Sequence, residues 1–501
     1  MATSQAAAPS AAAVYSEKTH LSHVDDASGS SNHSKYEADT ANETLSQYTA
    51  KEARKIRRTI DLRLIPALGL MYGVSLMDRK NVSNAYIAGM GDDLELKVGY
   101  RYSLITLVFF ITYVIFQPPM TYLCRKVGPP IFLPGLCMVW GIVILVFGFA
   151  KNWSTLVALR LLLGLLEAGY FPGCVYLLST WYTRYEVAKR YSCFYLIGSL
   201  ASALSGILAY GIMQMDGAAG YSGWRWIFIM EGIITCVFAV MGWLLIVRFP
   251  DQERDRPSLK FLKPEECLFI IANLERDRAD VVTEPFTMKK FLKPAADIEI
   301  WGFGLIFFCT TTVTYSFSYF LPIILRTMGF SVAASQCLIA PPYVLSAIMM
   351  YATSWVGDRY HTRAPIIAFN TIVGLIGLPM MAYGGSTSVR YLGAFIGVAG
   401  INANIPAAMA YQANNIRGQW KRAFCSATLV GMGGVGGIAG SLIFRSQDAP
   451  EYKWGFVGTI VSACVILITC AALSALFWIR NKKQAKGELI IEGLEGFRYT
   501  L

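Results

Sequence analysis

The sequence predicts an all-α polytopic membrane protein with about twelve transmembrane helices arranged in two six-helix halves. The chain of 501 residues is 54% hydrophobic and only 15% charged, whereas a soluble protein carries about 25% charged residues. Its apolar residues gather in runs of about 20, the length that a helix needs to cross about 30 Å of hydrocarbon. Two groups of six such runs flank one polar segment.

The two groups of apolar runs define the expected domains. Spans are expected near 62–88, 100–123, 130–150, 153–182, 188–213 and 224–249, and then near 299–325, 333–356, 364–384, 388–412, 420–445 and 455–480. The domains are a disordered cytoplasmic N-terminal tail (1–60), an N-terminal bundle (61–250), a cytoplasmic linker (251–298), a C-terminal bundle (299–480) and a cytoplasmic C-terminal tail (481–501). The tail prediction rests on its Ala, Ser, Asp and Glu content without apolar periodicity.

Basic residues mark one side of the predicted bundle. If the basic C-terminal tail lies inside, every even-numbered loop lies there too, and these loops hold most of the Lys and Arg, as cytoplasmic loops do. Both termini are therefore expected in the cytoplasm, and the protein in the plasma membrane because no retention signal closes the chain. The net charge of +11 follows this topology, so no nucleic-acid partner is expected. Eleven scattered cysteines without metal-ligand spacing predict neither a metal nor a cofactor.

Several charged residues fall inside the apolar runs. In the fourth run, "LRLLLGLLEAGYFPG" places Arg160 and Glu167 about two turns apart, on one helix face. The first run carries Asp78 and Arg79 after roughly three apolar turns, and the sixth carries Glu231. Because a lone charge at mid-bilayer costs several kcal/mol, these side chains should face the bundle interior or a wet cavity.

Two interpretations of these charges stay open. In the structural one the charges neutralise each other, Asp78 with either arginine and Glu167 with Arg160 or a neighbouring helix. In the functional one, Arg79 and Arg160 lie at a similar depth and hold an anionic substrate through bidentate bonds. Glu167, near the midplane, then takes up and releases a proton. Asp78 is the second candidate for that role.

Six spans, a long linker and six further spans resemble the layout of the major facilitator superfamily. The turn after the second span of each half repeats, as "YLCRKVGPP" and "WVGDRYHTR". The family pattern there is roughly G-x-x-x-D-R-x-G-R-R, and the second copy keeps Gly357, Asp358 and Arg359. The resemblance implies the major facilitator fold, two halves that rock about a midplane site, and a gating role for Asp358 and Arg359.

Further motifs are similar to those of the fungal anion:cation symporter group, which includes allantoate, nicotinate, pantothenate and biotin transporters. They are "LMDRKNVSNAYI", "RLLLGLLEAGYFPG", "GWRWIFIMEG", "SYFLPIIL", "NNIRGQWKRA" and "IFRSQDAPEY". This resemblance implies that Arg79 and Arg160 face the substrate and that Glu167 is the proton-coupling acid.

The seventh span departs from the organic anion transporters to which the chain is more distantly similar, because those carry a further arginine there. The matching stretch "CTTTVTYSF" offers only neutral groups such as Tyr315, which favours a monocarboxylate over a dicarboxylate. Asn84 in the first span and Asn404 in the tenth are further candidate substrate contacts. For Asn404 an interhelical hydrogen bond is an equal alternative.

These features together predict a transporter rather than an enzyme. The leading hypothesis is a secondary active transporter that moves a small organic anion, a monocarboxylate of the vitamin or allantoate type, together with protons by alternating access. The alternatives are an exporter of a secondary metabolite and, from a different class, a nutrient sensor that binds without turnover. The expected partners are the organic anion, protons and the lipid bilayer, and we expect a monomer.

Overall fold

The computed structural model describes residues 47–258, 261–278, 287–417, 419–491 and 497–501. Within these ranges the chain has twelve helices that are long and apolar enough to cross a membrane, which confirms the predicted fold class. Because twelve crossings return the chain to its starting side, Ala50 and Ala485 lie on one side of the bundle, the terminal side, and the other is the far side. Most of the predicted disordered tail, residues 1–46, lies outside the described ranges.

The spanning helices fall into two sets of six. In the first half they are α1 (Ala50–Ala85), α2 (Arg101–Val127), α3 (Pro129–Phe147), α4 (Trp153–Glu167, continued by Tyr170–Trp181), α5 (Arg184–Met213) and α6 (Gly223–Leu245). In the second half they are α7 (Ile298–Thr327), α8 (Ala340–Tyr360, preceded by Val332–Cys337), α9 (Ala364–Tyr383), α10 (Thr387–Asn415), α11 (Gln419–Ile443) and α12 (Lys453–Ala485).

Helix α1 begins well before the predicted start of the first span. Its first residue is Ala50, because the side chain of Thr49 accepts a hydrogen bond from the backbone N–H of Glu52 while the Glu52 carboxylate accepts from the backbone N–H of Thr49. Such a reciprocal capping box satisfies two backbone donors that would otherwise lack partners. The first apolar turns bury Ile56 and Ile60, so the predicted tail ends in an ordered, half-buried helix.

Small residues let the helices within each half approach closely. In the first half α3 packs on α6 and α1 on α5; in the second half α9 packs on α10 and α7 on α11. A Cβ atom on Gly377 of α9 would lie 2.1 Å from the backbone nitrogen of Gly397 on α10, and one on Gly436 of α11 would lie 2.1 Å from Oγ1 of Thr311 on α7. Backbone contact through glycine is the usual way in which membrane helices gain packing energy.

The segment between the halves is largely helical where it is described. Its helices are Pro250–Asp255, Pro264–Arg278 and Met288–Leu292. The ring of Phe261 meets the ring of Trp181 with a centroid separation of 5.5 Å, and the guanidinium of Arg63 lies 5.1 Å above it. The segment therefore packs against the terminal side of the first half.

The last five residues form a C-terminal strap, residues 497–501, across the terminal side of the second half. The Tyr499 ring stacks on Phe477 of α12 at 4.3 Å, and the Asn481 side chain bonds both the backbone N–H and the carbonyl of Tyr499 at 2.8 Å each. The Asn415 side chain makes the same pair of bonds to Thr500 at 3.1 and 2.7 Å. The strap thus ties the terminal ends of α10 and α12 together.

Replacement of Tyr499 by alanine should lower the melting temperature of the detergent-purified protein by several degrees. Tyr499 is 5% exposed, and removal of a buried aromatic ring costs about 3–5 kcal/mol in a core. Scanning calorimetry or a thiol-dye melt would measure the shift. The matched control is Tyr383→Ala, because Tyr383 is 59% exposed; equal shifts in the two variants would contradict a stabilising role for the strap.

Candidate substrate site

A central cavity lies between the two halves, with a volume of about 170 Å³ accessible to the centre of a water molecule. Its walls come from α1, α2, α4 and α5 on one side and from α7, α8, α10 and α11 on the other. Aromatic rings make up much of the lining, including Tyr113 and Tyr315. Among the described residues that line it, Arg79 and Lys80 are the two with formally charged side chains. Both formally charged side chains of the described lining are therefore basic.

Arg79 on α1 forms an ion pair with Glu167 on α4. Its Nε and Nη2 atoms both lie 3.1 Å from Oε2 of Glu167, and the hydroxyl of Ser75 donates to the same oxygen at 2.7 Å. Both charged side chains are almost completely buried. Oε1 of Glu167 has no hydrogen-bond partner in the described part of the chain. The carboxylate is thus held on one oxygen only.

The remaining face of the Arg79 guanidinium is turned towards aromatic rings and the other half. Nη1 of Arg79 donates to the hydroxyl of Tyr315 on α7 at 3.4 Å. The guanidinium carbon lies 5.1 Å from the ring centroid of Phe109 and 4.8 Å from that of Tyr113, within the range of cation–π attraction. Arg79 therefore links the carboxylate of Glu167 with the cavity wall.

Lys80, the next residue on α1, enters the cavity on a different wall. Its Nζ donates to the carbonyl of Ser202 on α5 at 3.2 Å and lies 3.4 Å from the ring centroid of Tyr343 on α8. The hydroxyls of Tyr343 and Ser318 lie 3.2 Å apart. No carboxylate lies within ion-pair distance of Lys80 in the described part of the chain.

Arg160 lies behind Arg79 rather than in the cavity wall. It is fully buried, and its guanidinium faces the rings of Phe109 and Phe147 at 6.0 and 5.5 Å. Its Nη2 lies 3.5 Å from the backbone carbonyl of Asp78, while the Asp78 carboxylate has no hydrogen-bond partner among the described residues. Arg160 is thus placed to orient the α1 turn that carries Arg79.

The other buried polar groups of α1 contact neighbouring helices. The side-chain amide of Asn81 donates to the Glu231 carboxylate on α6. The backbone carbonyl of Asn84 accepts from the side chain of Gln336 at 3.3 Å, and the Asn84 side chain lies outside the cavity lining. Glu231 is thus held by an amide rather than by an arginine.

The remaining predicted site residues lie further from the cavity. The side chain of Asn404 on α10 donates to Thr371 on α9 at 2.8 Å, which is the interhelical alternative, whereas its neighbour Asn402 lines the cavity. At the terminal end of α8, Asp358 pairs with Arg363 at 2.5 Å, and the guanidinium of Arg359 lies 5.5 Å from the Trp355 ring. A gating role for Asp358 and Arg359 stays a prediction.

Several contacts between the halves, among the described residues, lie from the Arg79 level towards the far side. The Tyr102 hydroxyl donates to the carbonyl of Tyr319 at 2.8 Å, and the Ser83 hydroxyl lies 3.4 Å from the carbonyl of Ser318. The ring of Tyr102 also meets that of Phe320 edge to face at 5.3 Å. These contacts bound the cavity on its far side, so the described chain has the arrangement of a transporter closed on that side.

Comparison with protein families agrees with this architecture. A model of the Major Facilitator Superfamily matches residues 68–441, most of the chain. The chain belongs to the major facilitator superfamily. It is 32% identical over 461 residues to the MFS-type transporter cnsO of Penicillium expansum, an alignment that covers 90% of this chain and 88% of the relative. This facilitator is therefore a transporter and not an enzyme.

Two other relatives carry names that bear on transport. The facilitator is 31% identical over 468 residues to the major facilitator-type transporter hxnP of Emericella nidulans, covering 89% of this chain and 90% of that one. It is 29% identical over 402 residues to the high-affinity nicotinic acid transporter of Saccharomyces cerevisiae, covering 80% of this chain and 74% of the relative.

A solved structure shares the fold of this facilitator. It is the bacterial homologue of the human lysosomal transporter Spinster in an inward-facing, unoccupied conformation. The TM-score is 0.64 at 13% sequence identity, over 82% of this chain and 96% of that one. At this identity the likeness supports the fold alone.

Two residues of the facilitator's site were not singled out from the sequence. Ser75 lies one turn before Arg79, so the spacing i, i+4 places both on one face of α1, and both bond Glu167. Lys80 follows Arg79 directly in "MDRKN". A third charge in that apolar run is the signal that could have found it, because intramembrane charges are expensive and mark functional sites.

Proposed function

We propose that this facilitator is a secondary active transporter that carries a small organic anion together with protons by alternating access. The observation that carries the proposal is Arg79, a buried guanidinium in the wall of the central cavity, held there by Glu167. Arg79 offers a planar set of donors that matches a carboxylate. The hydroxyl of Tyr315, which belongs to the other half, lies beside Arg79 and can form a hydrogen bond to the same anion. One bound anion would therefore contact both halves.

Competition for Arg79 supplies the coupling to protons. A substrate carboxylate that takes the Arg79 donors displaces the Glu167 carboxylate. A buried carboxylate without its cation is unfavourable by several kcal/mol, so it takes up a proton. Ser75 on α1 donates to this carboxylate, and Arg160 and the carboxylate of Asp78 also lie close enough to act on its charge. One proton therefore accompanies one anion, and binding strengthens as the pH falls.

The comparisons support the chemical class of the substrate. The yeast relative is named for nicotinic acid, a small aromatic monocarboxylic acid, and the cavity of this chain is lined by rings such as Tyr113 and Phe110. Lys and Arg gather in the loops of the terminal side, which supports a cytoplasmic position for that side and both termini. A structure closed on the far side would then be open towards the cytoplasm, and Asp358 and Arg359 would lie at the cytoplasmic gate.

Uptake measurements test this function. Radiolabelled nicotinate, pantothenate and allantoate would be offered to cells that lack their own carriers, between about pH 4.5 and 7.5, a window that lies above the ordinary pKa of a carboxyl group. We expect uptake of at least one anion to rise as the external pH falls and to collapse with a protonophore. Acid-independent uptake would contradict proton coupling. No uptake at verified surface expression, together with efflux of the preloaded anion, would favour the exporter.

A further inference from the structure

We propose that Lys80 forms a second anion subsite, so that the preferred substrate is a short dicarboxylate held between Arg79 and Lys80. The proposal rests on the transport function above and narrows its substrate class. The absence of an arginine from the seventh span favours a monocarboxylate when the sequence is considered alone. Lys80 changes that balance because it supplies the cavity with a second cation from α1.

The two cations face different walls of one cavity. Arg79 contacts α2 through Phe109 and Tyr113 and reaches α7 through Tyr315. Lys80 contacts α5 through Ser202 and α8 through Tyr343. Consecutive helical residues point about 100° apart, so it follows from helical geometry that Arg79 and Lys80 contact different neighbouring helices.

The Arg79 and Lys80 head groups differ in how fully they are paired. Arg79 has the Glu167 carboxylate, whereas the described contacts of Lys80 are one carbonyl oxygen and one aromatic ring. Lys80 is only 6% exposed, and a buried ammonium without a negative partner tends to lose its proton. A bound anion in the cavity supplies that negative charge and keeps Lys80 protonated.

The cavity limits the size of the substrate. Its volume of about 170 Å³ accessible to the centre of a water molecule suits a small molecule, and Arg79 and Lys80 both line it. A four- or five-carbon dicarboxylate such as succinate or glutarate is small and offers one carboxylate to each of the two side chains. Tyr343, against which Lys80 packs, belongs to the other half, so the second carboxylate also contacts both halves.

Matched pairs of acids with equal carbon number separate this proposal from the general one. Binding of succinate against butyrate, and of glutarate against pentanoate, would be measured by titration calorimetry on the full-length protein in nanodiscs at one pH. We expect the wild type to bind each dicarboxylate at least about tenfold more tightly than its monocarboxylate, since one added charge-assisted contact has that effect. Lys80→Met should remove the preference, because it should weaken the binding of succinate and glutarate at least about tenfold more than that of butyrate and pentanoate. Lys97→Met is the control, because Lys97 is exposed and pairs with Asp92 at 2.5 Å outside the cavity.

The possible results separate the two proposals. Equal affinities within each pair, binding of none of the four acids, or an equal loss for both acids in Lys80→Met would overturn the dicarboxylate subsite. The general function would survive any of these if acid-stimulated uptake of nicotinate, pantothenate or allantoate were present in the same protein. Loss of the preference in Lys97→Met as well would also overturn the subsite, because the effect would not depend on the cavity.

Discussion

Replacement of Arg79 by lysine should reduce uptake of the organic anion by about 10- to 150-fold at substrate concentrations below KM. The substitution keeps the positive charge but removes the planar fork that bonds Glu167 and Tyr315. Hydrogen bonds to charged groups contribute about 1.5–3 kcal/mol each, and a single ammonium cannot reproduce bidentate geometry. Initial uptake rates in cells at fixed acidic pH, normalised to surface expression, would measure the loss.

Arg101→Lys is the matched control for Arg79→Lys. Arg101 makes the same kinds of contact, an ion pair to Glu95 at 3.0 Å and a position 5.2 Å from the Trp153 ring, but it lies outside the cavity lining. We expect this variant to transport within about twofold of the wild type, since partly exposed pairs contribute about 0.2–1 kcal/mol. Similar losses in both variants would mean that Arg79 acts through folding and not through the substrate.

The twelve helices were predictable because membrane helices are specified by length and composition alone. A run of about 20 apolar residues has to form a helix in order to satisfy its backbone polar groups in lipid. The start of α1 was missed by this reasoning, because Ala50 to Asp61 is an amphipathic helix end fixed by Thr49 and Glu52, not an apolar run. The C-terminal strap could not be predicted either, because its hydrogen bonds join residues such as Asn415 and Thr500 that are far apart in the sequence.

The charged residues of the core were predictable as a set but not as pairs. A charged residue in a membrane span is conspicuous because placing a charge in the bilayer costs free energy. This criterion identifies Arg79, Arg160 and Glu167 from the sequence. Which arginine pairs with Glu167 depends on the rotation and depth of α1 against α4, and periodicity within one helix does not contain that information. The structure pairs Glu167 with Arg79 and places Arg160 against a backbone carbonyl, although Arg160 shares the helix with Glu167.

Glu167→Gln should abolish accumulation of the anion against its gradient while leaving exchange of the anion across the membrane intact. For a monocarboxylate carried with one proton the transport cycle is electroneutral, and a difference of two pH units then corresponds to about 2.7 kcal/mol, or about a hundredfold concentration ratio. Glutamine cannot take up the proton, so the accumulation ratio should fall to about one. Proteoliposomes with an imposed pH gradient would measure accumulation, and counterflow of labelled anion would measure exchange.

Glu231→Gln tests whether proton coupling depends on Glu167 in particular or on another buried carboxylate of the first half. Glu231 is as buried as Glu167, but its described partner is Asn81 and not a cation of the cavity. Anion binding at Arg79 therefore leaves Asn81, the partner of Glu231, in place. We expect Glu231→Gln to retain pH-driven accumulation. If Glu231→Gln lost accumulation while Glu167→Gln kept it, the proton would be carried by Glu231, and displacement of Glu167 from Arg79 would not be the coupling step.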